Sequence, residues 1–329
     1  MTSKNKARIR FEPTDLGFQW SFHAMGTRWD IHAVRISERE AEELARATVR
    51  WCIGFEQRYS RFIPDSWLSQ INAKAGTGEW TPITDSDEQV LGAAREAHFL
   101  SKGLVDATAL PLIQLWDHRR ENPTPPTSDE IEQCLKLVNW NYIEMEERRI
   151  RLPITGMGLD FGGFGKELAV DRLAGILIEA GCPAALVNGG GDVIAYGMPS
   201  LGASWKVGLE CPEQTGECWG GVELLNHALA TSGGYQRYFT YQDNRYSHLI
   251  DPRSGQTAAC EISAASIISP TCFQAGVIAS TACMLAEAEA VSLLETLPLT
   301  EGCFHTEHGK VFSNGFSANT AVRQMAAMV

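Results

Sequence analysis

Between Ala184 and Tyr196 the chain reads AALVNGGGDVIAY. The apolar runs AALV and DVIAY have the length and composition of strands. Gly189, Gly190 and Gly191 stand between them. Such a run weakens a helix or a strand, because glycine loses the most backbone freedom on ordering. It therefore marks a reversal of the chain and leaves bare backbone at a strand end. That backbone serves either a tight turn alone or a ligand that must reach the main chain. The spacing is not the GxGxxG of a dinucleotide fold, and no Lys-Ser or Lys-Thr pair follows, so it is not a Walker loop.

Other glycine-containing segments share this character. Leu159–Lys166, LDFGGFGK, leads into a helical pattern. It is either a strand-to-helix turn or an anion cradle, with free N–H groups, the helix dipole and Lys166 facing one ligand. ATSGGYQRY (Ala230–Tyr238) adds Thr231, Ser232 and Arg237, groups suited to phosphate oxygens. YSHLIDPRSG (Tyr246–Gly255) carries His248 and Asp251, which a strand would turn to opposite faces. The first half supplies FHAMGT, YSRFIPDSWLSQIN and VDATALPLIQLWD, each mixing a hydroxyl with aromatics, the last two with charges as well. HExxH, GxSxG and paired-histidine metal motifs are absent from the sequence.

The periodicities predict an α+β domain with strands concentrated in the second half. Ser37 and Glu40 have capping-box spacing, ahead of a helix burying Leu44, Ala45, Val49, Cys52 and Ile53. Further helices are expected over Ser66–Ala73, Asp85–Lys102, Ser128–Val138 and Lys166–Ala180, the last ended by Gly181 in the left-handed conformation. Ala275–Leu285 is apolar nearly all round and reads as a buried helix. Residues 1–20 read as an N-terminal extension, 21–315 as one domain and 316–329 as a C-terminal tail. His118–Thr127, with its three prolines, reads as a surface excursion within the domain.

The 329 residues are 44 % hydrophobic and carry a formal charge of -12. A sizeable core is available, and the acidic balance argues against generic nucleic-acid binding, which needs clustered Lys and Arg. Nine cysteines, an odd number with no CxxC pair, fit reduced thiols better than disulfides or a zinc site. With no signal peptide, lipidation signal or membrane span in the sequence, the expected compartment is the cytoplasm.

Taken in order from Phe22 to Leu285, AMGT, YSRFIPDSWLSQIN, VDATALPLIQLW, LDFGGFGKELAVD, ALVNGGGDVIAYG, ATSGGYQRY, YSHLIDPRSG and the late apolar helix resemble the FAD:protein FMN transferases, the ApbE family. The resemblance implies a single domain with a mixed β-sheet, flanking helices and an FAD cleft formed by glycine-rich loops. It implies Mg²⁺-dependent transfer of FMN from FAD to a Thr or Ser hydroxyl of a target flavoprotein, releasing AMP. Met25, Phe62, Asp106, Ala107, Thr108, Asp160, Lys166 and Leu249 match FAD-contact positions. The Gly163 carbonyl and Ser280 match metal-ligand positions, and His248 and Asp251 fall in the segment expected to carry acid–base chemistry.

Two positions depart from the family pattern. The late helix usually brings an Asp to the metal four residues before the hydroxyl, where this chain has Gly276. Glu167 stands where the family often has Gly after the lysine. Mg²⁺ usually takes at least one carboxylate, so Asp192, Asp251 or Glu261 is a candidate substitute, or the ion binds through phosphate oxygens alone. Two alternatives to transfer follow: a non-catalytic FAD-binding protein acting as carrier or regulator, and an FAD pyrophosphatase in which water replaces the acceptor.

Overall fold

The computed structural model describes residues 8–211, 214–234, 237–258 and 261–317. The chain opens with β1 (Arg10–Thr14), β2 (Gly17–Ala24) and β3 (Thr27–Val34), an antiparallel meander. A long insertion follows: α1 (Glu38–Tyr59), α2 (Trp67–Ala73), β4 (Thr81–Pro82), α3 (Asp85–Leu100), α4 (Leu110–Leu115), α5 (Ser128–Leu135), β5 (Glu144–Glu146) and β6 (Arg149–Arg151). Then α6 (Gly165–Glu179) leads back into the main sheet through β7 (Ala184–Gly189) and β8 (Asp192–Tyr196). The hairpin β9 (Trp205–Cys211) and β10 (Gln214–Leu224) precedes β11 (His227–Gly233). A second hairpin, β12 (Tyr238–Tyr241) and β13 (Asn244–Ser247), precedes β14 (Ile262–Ser269). Helices α7 (Cys272–Ala282) and α8 (Glu287–Glu295) and strands β15 (Glu301–Thr306) and β16 (Gly309–Phe312) complete the described elements.

Among the described residues the main sheet has nine strands in the order β1-β2-β3-β7-β8-β11-β14-β15-β16. Every neighbouring pair in it is antiparallel. The α+β domain is as expected, but the sheet is not mixed. The reason is topological: tight hairpins make four of the neighbour pairs, and the insertion between β3 and β7 leaves and re-enters at one end of the sheet, so β7 runs against β3.

Alternation of side chains decides the faces. Trp20 and Phe22 on β2 and Trp29 and Ile31 on β3 are buried together with Leu44, Val49 and Cys52 of α1. Val170 and Leu173 of α6 and Ala275 and Ile278 of α7 close the same core. Fully burying a side chain of this size contributes roughly 1.5–3 kcal/mol. Trp20 Nε1 donates to Thr48 Oγ1 at 3.1 Å, which removes the cost of an unpaired indole N–H. On the other face β9–β10 packs Leu209, Val222 and Leu224 on Val193 and Leu229.

The capping box forms as the spacing requires: Ser37 N donates to Glu40 Oε2 at 2.7 Å and Glu40 N to Ser37 Oγ at 3.4 Å. Of the residues expected on its buried face, Ile53 is only half-buried, while Phe55 and Tyr59 extend the face into the insertion. Gly181 ends α6 at φ +79°, as expected. Residues 1–20 include β1 and the first half of β2, both paired in the main sheet. Phe316 is buried with the β9–β10 cluster, and 318–329, most of the expected tail, lie outside the described residues.

Candidate functional site

The glycine run of the opening segment is a two-residue hairpin. Gly189 pairs with Asp192, and Gly190 and Gly191 take φ of +69° and +101°. Left-handed backbone at both corner positions matches the twist of the flanking strands. The turn is also pressed against a second one. A Cβ on Gly190 would stand 2.3 Å from Thr27 Oγ1, and one on Gly189 2.7 Å from the Trp29 ring. Thr27 closes the AMGT hairpin, where Met25 and Gly26 have φ of +54° and +70°. Met25 packs against both large cores, so this turn lies where the sheet core meets the insertion core.

A chain of direct contacts links the remaining segments. Asn72 of α2 pins the strand-to-helix segment, donating from Nδ2 to Leu159 O at 2.9 Å and accepting from Leu159 N at 2.7 Å. Arg61 makes an ion pair with Asp160, whose Oδ1 also accepts Gly162 N at 2.7 Å. Asp160 N donates to Ala107 O at 2.8 Å. Gly163 faces Val105: a Cβ there would meet Val105 Cγ1 at 3.4 Å. Asp106 Oδ1 accepts Thr108 N and Oγ1 at 2.7 and 2.6 Å, and its Oδ2 lies 3.0 Å from His98 Nδ1. The side chains of Asp106 and Thr108 are thus satisfied internally, and what they set is the path of the backbone around Ala107.

Phe62 is 63 % exposed, and Arg61 and Arg119 stand over its ring at 4.2 and 5.1 Å. Arg119 comes from the proline-rich excursion, so that segment reaches the same region. An exposed aromatic ring flanked by guanidinium groups offers a stacking platform with positive charge beside it.

Lys166, in the first turn of α6, bridges two acids. Its Nζ lies 2.5 Å from Asp192 Oδ2 and 3.5 Å from Glu167 Oε1. Burial alone would lower the ammonium pKa, but Glu167 and Asp192 raise it above the usual lysine value. Burial raises the Glu167 carboxyl above the ordinary range, against the pull of Lys166. Asp192 Oδ1 also accepts Thr231 N at 3.4 Å, and next to it Ser232 Oγ accepts from Ser280 Oγ at 3.3 Å. Lys166, Asp192 and the Thr231 backbone N–H are therefore in contact, with the Ser232–Ser280 pair one residue further along β11, while the Thr231 hydroxyl pairs with Ser266 Oγ at 2.9 Å. No side chain caps the N-terminus of α6, which leaves that end to other partners.

His248, Leu249 and Asp251 sit on the lobe formed by α4, α5 and the β12–β13 hairpin. The lobe is tied down where Trp116 Nε1 donates to Gly255 O at 2.8 Å. Leu249 packs on the sheet core. His248 Nδ1 donates to Arg237 O at 3.1 Å, which fixes Nε2 as the acceptor nitrogen. Burial pushes the imidazole pKa down to about 4, and the charges of Arg237 and His118 act in the same direction. The His118 ring, from the proline-rich excursion, is 6.4 Å away. Asp251 is held by Arg253 at 2.8 Å and accepts Arg253 N at 2.8 Å. Burial opposes its ionisation, but the bonds from Arg253 outweigh it and lower the pKa.

Of the acids considered as substitutes for the missing aspartate, only Asp192 stands at Lys166. Asp251 is engaged by Arg253, and Glu261 accepts Glu287 N at 3.2 Å at the start of α8. The described residues contain no group of three or more His, Cys, Asp or Glu able to cage a metal. Mg²⁺ takes one or two carboxylates and fills its shell with water or phosphate oxygens. The residues present fit such an ion: Ser280, the Asp192 and Glu167 carboxylates, and a Glu167 Oε2 that is buried without a hydrogen-bond partner. Arg61, Asn72, His118 and Arg119 carry no signal of their own in the sequence. The first two lie within YSRFIPDSWLSQIN, and the last two open the proline-rich excursion.

Comparison with known proteins covers most of the chain. The family model described as "ApbE family" matches residues 25–304. The chain is 26 % identical to the FAD:protein FMN transferase of Klebsiella pneumoniae (strain 342) over 259 residues, 76 % of this chain and 73 % of that protein. It is 26 % identical to that of Vibrio cholerae over 278 residues, 82 % of each chain. Among solved structures, the ApbE protein of Thermotoga maritima superposes with a TM-score of 0.80 at 24 % identity, covering 90 % of this chain and 96 % of that one. The flavin transferase ApbE of Vibrio cholerae gives 0.76 at 22 %, covering 97 % and 99 %.

Proposed function

The chain belongs to the ApbE family, and from that premise we propose that it is an FAD:protein FMN transferase. Its substrates are FAD and a Thr or Ser hydroxyl of a target flavoprotein, and AMP is released. The observation that carries the reading is the set of contacts Arg61–Asp160, Lys166–Asp192, Asp192–Thr231 N and Ser232–Ser280, made between segments far apart in sequence, with Asp160 and Lys166 on the one glycine-rich turn. Cations, hydroxyls and an uncapped helix N-terminus in one place suit a pyrophosphate, whose charge must be spread as the bond breaks.

In the reaction the acceptor hydroxyl oxygen attacks the phosphorus of the FMN half. The new P–O bond forms as the pyrophosphate P–O bond breaks, and AMP leaves with the electron pair. The hydroxyl proton passes to His248 Nε2, which the Nδ1 hydrogen bond to Arg237 O presents as the acceptor and which desolvation keeps neutral. Lys166 holds the phosphate end of the site, and Phe62 and Met25 offer apolar contact to the rings. Mg²⁺, held by Ser280, the Gly163 carbonyl and a carboxylate, would add charge stabilisation to the pyrophosphate oxygens.

Eight described cysteines, none in a disulfide, suit a reducing cytoplasm; Cys260 lies outside the described residues. No described helix is long and apolar enough to cross a membrane. The test is mass spectrometry of an acceptor flavoprotein co-expressed with this chain. A mass increase of one FMN on a Thr or Ser is expected. FAD binding with no adduct and no AMP would favour a carrier, and AMP release without adduct a pyrophosphatase.

A further inference from the structure

The Glu167 side chain occupies the space that a side chain at position 276 would need. A Cβ built on Gly276 would stand 2.4 Å from Glu167 Cγ, 3.1 Å from Cδ and 3.2 Å from Oε1. The glutamate is only 8 % exposed, and its Oε2 is buried with no hydrogen-bond partner. Its neighbour Lys166 supplies one ammonium to two carboxylates, Glu167 and Asp192. With both acids ionised, one negative charge is left over in a recessed place, a cost that only a bound proton or a cation can relieve. A cation at the orphaned oxygen removes that cost.

The surroundings name the kind of cation. Ser280 lies one helical turn beyond Gly276, so its hydroxyl is on the face of α7 that Glu167 touches. Carboxylate and hydroxyl oxygens are hard ligands, and few of them are present, which suits Mg²⁺ or Mn²⁺ rather than zinc or copper. We propose that Glu167 supplies the carboxylate of a divalent-cation site shared with Ser280, the acid being delivered from α6 while Gly276 on α7 provides its room. The two departures from the family pattern are then one exchange: a side chain was withdrawn from α7 and another extended from α6 into the same space. The proposal rests on the FMN-transfer reading only for the role of the ion, not for its binding.

The experiment uses Mn²⁺ as the probe, titrated into the full chain by calorimetry and followed by electron paramagnetic resonance, with and without FAD. Glu167→Gln keeps the volume and removes the charge. It is expected to weaken Mn²⁺ binding at least roughly tenfold. The exchange variant Glu167→Gly with Gly276→Asp is expected to restore binding, while Gly276→Asp alone is not, because both side chains then claim one space. Mn²⁺ affinity unchanged in Glu167→Gln, or no Mn²⁺ binding by the unaltered chain under either condition, overturns the proposal. If Glu167→Gln fails to fold, the exchange variant decides: folded and binding supports the site, folded and not binding refutes it. Mn²⁺ binding without FMN transfer would count against the proposed function and leave this site standing.

Discussion

Asp171 on α6 accepts the first two backbone N–H groups of α7, from Cys272 at 2.7 Å and Phe273 at 2.8 Å. One helical turn earlier on α6, Glu167 faces Gly276, one turn later on α7. The two acids thus hold the helices in register, one through a cap and one through a space-filling contact. Burial pushes the Asp171 carboxyl up to about 6, against the pull of the two N–H donors. A raised folded pKa means that the folded state binds the proton more tightly than the unfolded chain, so this stabilising contribution is present below the unfolded value and is lost as pH rises through about 6. Thermal melts of the unaltered chain and Asp171→Asn between pH 4 and 8 should show the former losing ground relative to the variant up to that point, then no further change. Asp171→Ala, which removes the cap, should cost about 1–2 kcal/mol in urea unfolding.

Lys166→Met leaves Asp192 and Glu167 facing each other without their shared ammonium. The lysine is partly open to water, which trims the penalty, so a loss on the order of 2 kcal/mol is expected from urea unfolding. Adding Asp192→Asn should recover part of it. The same lysine variant should weaken FAD binding, and a titration that finds unchanged affinity would remove Lys166 from the phosphate site.

His248 should titrate far below an ordinary histidine. Burial holds its pKa down to about 4, so the ring is neutral from neutral pH down to about 5. Histidine-ring NMR, assigned by comparison with His248→Gln, should place the midpoint near that value in the free protein. The FMN-transfer rate should not fall as pH drops from 7 to 5 through loss of this base. His248→Gln should lower the rate by about 10²–10⁴-fold without large loss of FAD affinity. A rate unchanged in the variant would exclude the ring as the base.

Phe62→Ala removes an exposed ring with little packing of its own. Melting temperature should stay where it is, while FAD affinity falls by about 1–3 kcal/mol, the usual worth of a base stacked on an aromatic ring. Flavin fluorescence titration reads this directly. Equal affinity would mean that the ring lies outside the FAD site.

Gly190→Ala should destabilise the chain by about 1–3 kcal/mol, since the position combines a left-handed backbone with a Cβ placed against Thr27. Gly191→Ala, with left-handed backbone but open space, should cost less. Chemical unfolding of both variants separates backbone strain from collision.

What the sequence could determine was local. Ser37 and Glu40 announce a helix start because the capping box is closed within four residues. The Gly189–Gly191 run and AMGT announce reversals because left-handed backbone is demanded at the turn itself. The apolar run after Pro270 announces a buried helix because few of its side chains favour water. The ordered motifs carried family membership in the same way. What only the tertiary structure decided was which acids meet which partners. Asp251 and Glu261 looked as available as Asp192 until Arg253 and the α8 N-terminus were seen to engage them. Glu167 and Gly276 are 109 positions apart in the chain, and each looks like a defect alone. Only when α6 and α7 pack does the space left by one receive the side chain of the other, because volume and unpaired charge belong to a neighbourhood and not to a stretch of sequence.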